Sequence, residues 1–201
     1  MGLLLLVALL SLLVLRAAGF ENLDGQLLEA AESGDAARAE RLLDRGAHID
    51  CRNNYGVSPL IFAANNNHRE ALELLLRRGA DREARSNDGR SALIWASIWG
   101  HEEIVEALLA AGVEVDRSDR RGMTALMHAV FQGREEVVRR LLQRRADPLL
   151  ENVYKGTALS IAKLSGRPMI LELVQRAADS RQEKRSGQSP KAETAKLIAF
   201  L

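Results

Sequence analysis

The feature that most constrains this chain is a repeat with a period of 33 residues. Leucine and alanine recur at this interval along most of the sequence, as Leu60, Leu93, Leu126 and Leu159 and as Ala63, Ala96, Ala129 and Ala162. A fixed period of this length is typical of repeat proteins, in which each unit buries its apolar face against its neighbours. The sequence therefore predicts an elongated solenoid instead of a closed globule.

Each unit carries start and stop signals for two short helices. Hydroxyl residues that can cap a first helix precede an apolar segment at Ser58, Ser91, Thr124 and Thr157. The second helix has its apolar residues in one stripe, for example Ala71, Leu72, Leu75 and Leu76. Glycine follows these stripes at Gly46, Gly79 and Gly112, where helices commonly end in a left-handed residue, and Arg145 takes the same place in the fourth unit. This pattern predicts a series of helix-turn-helix units.

The opening of the units, Gly-x-Ser/Thr-Ala/Pro-Leu-x-x-Ala, followed by Gly-His and an apolar run, resembles the ankyrin repeat. The matching residues are Gly56, Ser58, Pro59, Leu60 and Ala63; Gly89, Ser91, Leu93, Ala96, Gly100 and His101; and Gly122, Thr124, Leu126, Ala129 and Gly133. The resemblance implies an all-α fold, an ankyrin-repeat solenoid of helix-turn-helix units joined by hairpin-like loops. About five units are expected within residues 22–178, over 22–54, 55–87, 88–120, 121–153 and 154–178.

The two ends of the chain are expected to lie outside the array. Residues 3–15 are apolar except for Ser11 and are followed by small residues, which is the pattern of a secretory signal peptide. Residues 1–19 are therefore predicted to be a cleaved signal peptide or an uncleaved membrane anchor, with a soluble cytoplasmic chain as a third alternative. The expected location is exported, either periplasmic or secreted, or membrane-anchored by residues 3–15. Polar composition over residues 179–193 predicts a flexible C-terminal tail over residues 179–201. Its last residues, 195–201, are mostly apolar and could instead form a short helix docked on the last unit or a peptide that a partner binds.

Composition and motifs argue against several classes of function. The chain has 28 basic and 27 acidic residues, a net charge of +1, which does not favour nucleic-acid binding. The single cysteine, Cys51, excludes an internal disulfide framework. The four histidines are spread over different units, and no catalytic or phosphate-binding motif is present. We therefore expect no enzyme activity, no cofactor and no metal, and contact with a membrane only through an uncleaved N-terminal segment.

Exposed aromatic residues point to a surface for a protein partner. The resemblance implies that partners contact the hairpin tips and the exposed side of the first helices. These positions hold Tyr55, Val57, Asn65, Asn66, Arg90, Ile98, Trp99, Arg121, Met123, Phe131, Gln132 and Tyr154. Aromatic side chains with Arg and Met are typical of binding hot spots, so Tyr55, Trp99, Phe131 and Tyr154 are predicted to form a ladder across the units.

Other interpretations of these residues and of the chain remain open at this point. In one, Trp99 and Phe131 fold down to cover the core, where Phe62 and Trp95 are also expected. The leading prediction is a protein–protein interaction module that binds its partner through the concave hairpin and first-helix surface. The alternatives are a membrane-tethered accessory subunit that stabilises an enzyme or transporter, and an enzyme that uses the repeats only as a scaffold.

Overall fold

Helices follow one another in pairs along the computed structural model, which describes residues 22–186. This part of the chain contains ten helices and no strands, which confirms the predicted all-α class. Their bounds are α1 Leu23–Ser33, α2 Ala36–Asp44, α3 Pro59–Asn65, α4 Arg69–Arg77, α5 Ala92–Trp99, α6 Glu102–Ala110, α7 Ala125–Gln132, α8 Glu135–Gln143, α9 Ala158–Leu164 and α10 Pro168–Ser186. Each predicted unit contains the start of one helix pair.

The first helices begin where the hydroxyl caps predict. Ser58 Oγ accepts a hydrogen bond from the Ile61 N–H at 3.4 Å, and Ser91 and Thr124 make the equivalent bonds in the next two units. Thr157 forms a capping box with Ser160. These bonds satisfy backbone donors that have no partner within the helix, which fixes the start of each first helix.

The stop signals are also confirmed. Gly46, Gly79 and Gly112 adopt positive φ angles of 95°, 88° and 78°, and Arg145 adopts 66° at the equivalent place. A Cβ built at any of these three glycines would meet no atom within 4 Å. The positions therefore favour glycine because of backbone conformation alone, and Arg145 accepts the strain of a left-handed residue.

The helices form two layers that share one core. First helices pack on first helices, as α3 does on α5 and α5 on α7, and second helices contact second helices in the same order. The repeated leucines and alanines lie between the layers, and Leu60, Ala63 and Leu126 are at most 1% exposed. The fold is the predicted ankyrin-repeat solenoid, in which neighbouring units supply the burial that a single unit lacks.

Side chains at the start of the second helices bridge neighbouring units. The His68 ring nitrogen Nε2 lies 2.9 Å from the Glu32 carbonyl oxygen, and His101 Nε2 lies 3.0 Å from that of Asn65. Arg134 takes the same place in the next unit and donates from Nε to the Ile98 carbonyl at 3.1 Å. Each of these bonds reaches the carboxyl end of the preceding first helix, whose carbonyls need partners.

The last helix extends beyond the predicted end of the array. The sequence predicts a flexible tail from residue 179, but α10 continues to Ser186, so this prediction is wrong for residues 179–186. Arg181 holds this extension on the fourth unit, donating from Nη1 to the Arg145 carbonyl at 3.0 Å and from Nε to the Asp147 carboxylate at 3.0 Å. Composition did not reveal these contacts because both partners are more than 30 residues earlier in the chain.

The signal peptide or anchor over residues 1–19 and the tail over 187–201 lie outside the described residues. Between residues 22 and 186, no helix is both long enough and apolar enough to cross a membrane.

Candidate partner-binding surface

The hairpin tips form a row joined by backbone hydrogen bonds. Tyr55, Asp88, Arg121 and Tyr154 occupy the same place in successive units. The carbonyls of Tyr55, Asp88 and Arg121 accept hydrogen bonds of 2.8, 3.1 and 3.0 Å from backbone N–H groups of the following tip. Tyr55 and Tyr154 stand at this row with 75% and 74% of their surface exposed. The row therefore presents two aromatic side chains on a backbone fixed from unit to unit.

Side-chain amides and carboxylates hold the individual tips. Asn53 Oδ1 accepts hydrogen bonds from the N–H groups of Tyr55 and Val57, at 2.9 and 3.0 Å. Asp119 does the same for Arg121 and Met123, at 2.8 and 2.9 Å. Such bonds from a side chain to the next backbone donors stabilise a tight turn and limit its freedom.

Trp99, at the end of α5, is exposed but held by a hydrogen bond. Half of its surface is accessible, and its indole N–H donates to Asn65 Oδ1 at 2.8 Å. Asn65 Nδ2 donates to Asn66 Oδ1 at 2.7 Å, and Asn66 Nδ2 donates to the Glu32 carbonyl at 2.9 Å. This chain of bonds crosses three units, so the predicted residues Asn65, Asn66 and Trp99 form one connected group.

Phe131 lies at the surface, but in a different place from Trp99. It is 63% exposed and lines a cavity of about 240 Å³ together with Leu164, which stands one repeat later and is 89% exposed. The interpretation in which Trp99 and Phe131 cover the core is therefore wrong. The predicted ladder is divided, because Phe131 shares its cavity with the last unit and not with Tyr55 or Trp99.

Tyr55 and Trp99 share an open cavity of about 760 Å³ between the second and third units, which we call the aromatic cavity. It is lined by Glu32, Asn53, Tyr55, Val57, Ile61, Phe62, Asn65, Ser86, Asn87, Asp88, Trp95 and Trp99. Four of these residues are aromatic and two are acidic. Concave sites of this size with a few polar groups are typical binding sites for side chains and small ligands.

Sequence reasoning missed several residues of this cavity. It assigned Phe62 and Trp95 to the core, but both are half-buried and line the cavity while packing on the core below. Glu32 and Asp88 were not predicted at all. A signal was present, since Phe62 and Trp95 are one repeat apart and Trp95 precedes Trp99 by one helical turn, which places both tryptophans on the same face.

Arg90 is positioned beside the aromatic cavity by aromatic and acidic neighbours. Its guanidinium lies 4.7 Å from the centre of the Trp95 ring, and its Nε is 3.1 Å from the Asp88 carboxylate. The buried Asp119 carboxylate lies 4.0 Å away and contacts His128 Nε2 at 2.9 Å. Burial lowers the pKa of His128, and the Asp119 carboxylate opposes this shift.

The other predicted contact residues are less prominent. Ile98 and Met123 are half-buried, and Met123 Sδ lies 3.2 Å from Asn152 Nδ2. Arg121 and Gln132 are exposed, and Arg121 lines a separate cavity of about 450 Å³ with Arg90. None of the twelve predicted residues is fully buried, so all of them can be reached in part by a partner.

The opposite face of the array, formed by the second helices, is covered by ion pairs. Glu135 pairs with Arg139 at 3.1 Å and Glu136 with Arg140 at 3.5 Å, one helical turn apart on α8. Arg144 reaches back one unit to Glu106 at 2.6 Å. These arginines are largely neutralised by neighbouring carboxylates, so this face lacks the concentrated positive charge that an anionic partner requires.

No alternative chemistry stands out in the described part of the chain. Among residues 22–186, no group of three or more His, Cys, Asp or Glu side chains is placed to hold a metal ion. Burial and the nearby Asp24 carboxylate raise the pKa of Cys51 to about 11, so its thiol is protonated at neutral pH.

Comparison with known proteins agrees with the repeat architecture. The family model described as ankyrin repeats (3 copies) matches residues 27–119 and 108–184, which together cover most of the chain. A search among curated proteins finds no significant match. The matched segments and the stacked helix pairs show that the chain belongs to the ankyrin-repeat family.

Proposed function

We propose that this protein binds a partner protein through its hairpin tips and the exposed side of its first helices. Ankyrin repeats are general protein–protein interaction modules, and the proposal assigns that role to one face of this array. The observation that carries it is that the exposed aromatic side chains of residues 22–183, namely Tyr55, Trp99, Phe131 and Tyr154, all lie at these positions. Exposed tryptophan and tyrosine are enriched among the residues that dominate binding energy.

The rigidity of this surface supports the proposal. Trp99 is held by Asn65, and the tips are joined by backbone bonds between units. Side chains that are already ordered lose little conformational entropy when a partner binds, so more of the contact energy appears as affinity. A specific complex on this face is expected to bury about 800 Å² on each partner.

The face formed by the second helices is less suited to partner binding than the face with the hairpin tips. On the second helices, arginines are engaged with carboxylates of the same or the adjacent unit. Exposed ion pairs contribute little affinity, because they are already solvated and would have to lose water to join an interface. The proposal assigns the chain no reaction of its own, since ankyrin-repeat proteins are typically non-enzymatic.

Quantitative capture from native extracts tests the proposed surface. The baits are the unaltered chain, Trp99→Ala and Tyr154→Ala, with Arg77→Ala on the exposed side of α4 as the matched control. Loss of a hot-spot aromatic is expected to weaken binding by about 2 kcal/mol, or about thirtyfold in Kd. A partner that binds all four baits equally, with all four folded by circular dichroism, would refute the proposal.

We also propose that residues 1–19 direct export or anchor the protein in a membrane. The support is the apolar run over residues 3–15 and the small residues that follow it. In the anchored form, the array would serve as an accessory subunit that stabilises an enzyme or transporter beside it. Cell fractionation with N-terminal sequencing tests this, and an intact N-terminus on a chain found only in the cytoplasmic fraction would contradict it.

A further inference from the structure

We infer that the aromatic cavity receives a lysine or arginine side chain of the partner polypeptide. This inference rests on the proposed function and adds the chemistry of the group that is bound. It depends on three properties of the cavity, namely its aromatic walls, its excess of negative charge and its size.

The walls of the aromatic cavity suit a cation. Tyr55, Phe62, Trp95 and Trp99 all line it. A cation within about 6 Å of an aromatic ring centre is attracted by the negative face of the ring, most strongly for tryptophan. Trp95 already accommodates one, because the Arg90 guanidinium lies 4.7 Å from its ring centre.

The charge of the cavity is negative. Glu32 and Asp88 line it, and none of its lining residues is Lys, Arg or His. Asp88 is paired with the adjacent Arg90 at 3.1 Å. Glu32 is exposed, and among the side chains described over residues 22–183 its carboxylate makes no ion pair. Glu32 therefore adds to the lining a carboxylate-bearing residue that no described basic side chain neutralises.

An apolar side chain would fit this cavity less well than a basic one. It could cover the rings, but it would displace water from the Glu32 carboxylate without providing a partner, which is unfavourable. Lysine and arginine combine an apolar stem, which can lie on the rings, with a charged end that can reach a carboxylate. The cavity contains both kinds of surface side by side.

The size of the cavity favours a segment of polypeptide over a single free side chain. Its volume of about 760 Å³ lies in the upper part of the range of about 300–1,000 Å³ found for ligand sites. It is open to the surface between the second and third units and is lined by residues of three units. A basic side chain in an extended segment can therefore enter while its neighbours contact the hairpin tips.

The tryptophans provide a direct measurement. The chain has two tryptophans, Trp95 and Trp99, and both line the cavity. Their indole N–H signals in a ¹⁵N-labelled full chain therefore report on this site alone. The probes are heptapeptides of Gly and Ser whose central residue is Lys, Arg or norleucine, together with choline as a free quaternary head group.

We expect the Lys or Arg peptide to shift both indole signals in a saturable way, at least tenfold more tightly than the norleucine peptide. Glu32→Gln should weaken this binding at least threefold, and the matched change Glu103→Gln on α6 should not. Equal binding of the norleucine peptide would overturn the inference, as would no shift with either basic peptide. Binding of choline without binding of the basic peptides would also overturn it.

These results can be separated from those that test the proposed function. If Trp99→Ala and Tyr154→Ala abolish partner capture but basic peptides do not shift the indole signals, the surface is correct and the assigned ligand is wrong. If basic peptides bind but partner capture is unchanged in both variants, the proposed function fails and the inference that depends on it is withdrawn.

Discussion

Replacing Arg145 by glycine should raise the stability of the array. Arg145 has a φ angle of 66° at the end of the fourth unit, where the equivalent positions hold Gly46, Gly79 and Gly112. The left-handed conformation costs a residue with a Cβ about 1–2 kcal/mol. Glycine avoids this strain but gives the unfolded chain extra freedom, worth about 0.4–1 kcal/mol. The difference predicts a net gain of between zero and about 1.6 kcal/mol, with a central value of about 1 kcal/mol.

The contacts around Arg145 support this magnitude. Its carbonyl oxygen accepts the hydrogen bond from Arg181, and glycine keeps that carbonyl. A Cβ at the equivalent Gly112 would meet no atom within 4 Å, so Gly112→Ala measures the same backbone strain in the opposite direction, without a steric clash. For a chain of this size, 1 kcal/mol corresponds to a change in Tm of about 2–4 °C.

Urea unfolding followed by circular dichroism at 222 nm is the appropriate assay, with Arg145→Gly, Gly112→Ala and the unaltered chain compared side by side. Stability in repeat proteins is a sum of unit and interface terms, so the whole curve is fitted and not only its midpoint. A decrease in stability for Arg145→Gly, together with the expected decrease for Gly112→Ala, would refute the reasoning. That result would mean that contacts of the Arg145 side chain stabilise the fold by more than the left-handed backbone conformation destabilises it.

Three other perturbations test separate parts of the structure. Burial lowers the pKa of His128, so the folded state favours the neutral ring. The free energy of unfolding should therefore fall as the pH drops below the ordinary pKa of 6.5. Urea unfolding between pH 7.5 and 5 should show a smaller fall for His128→Gln than for the unaltered chain. Gly89→Ala should destabilise the array more than Gly112→Ala does, since the added Cβ would lie 2.8 Å from the Arg120 backbone nitrogen. Thermal melts of the two variants test this order. Cys51, with a pKa of about 11, should react with iodoacetamide at pH 7.5 far more slowly in the folded chain than in urea, and equal rates would contradict its burial.

The helices and most of their limits could be predicted from the sequence, because the interactions that start and end them are local. A hydroxyl at Ser91 caps the residues just after it, and a residue such as Gly79 ends the helix just before it. The period then places equivalent residues in equivalent surroundings, so one correctly interpreted unit predicts the others. The contact of His101 with the Asn65 carbonyl of the preceding unit was not predicted, because it joins residues of two units.

The candidate site could be predicted only in part, because the residues that line it come from different units. Sequence position showed that Tyr55 and Trp99 belong to exposed parts of the repeat, but not that they share a cavity with Glu32 and Asp88. Likewise, a polar composition predicted a tail where α10 continues, because Arg181 finds partners in the fourth unit.

By itself, the sequence determined the period, the helix pairs, their caps and the residues that must face the core. Each of these depends on interactions within one unit or on a repeat that is visible in one dimension. Only the tertiary structure decided which exposed aromatics meet, which arginines are neutralised and how far the last helix extends. Those outcomes depend on side chains from units about 33 residues apart, whose distances and orientations are set when the units stack.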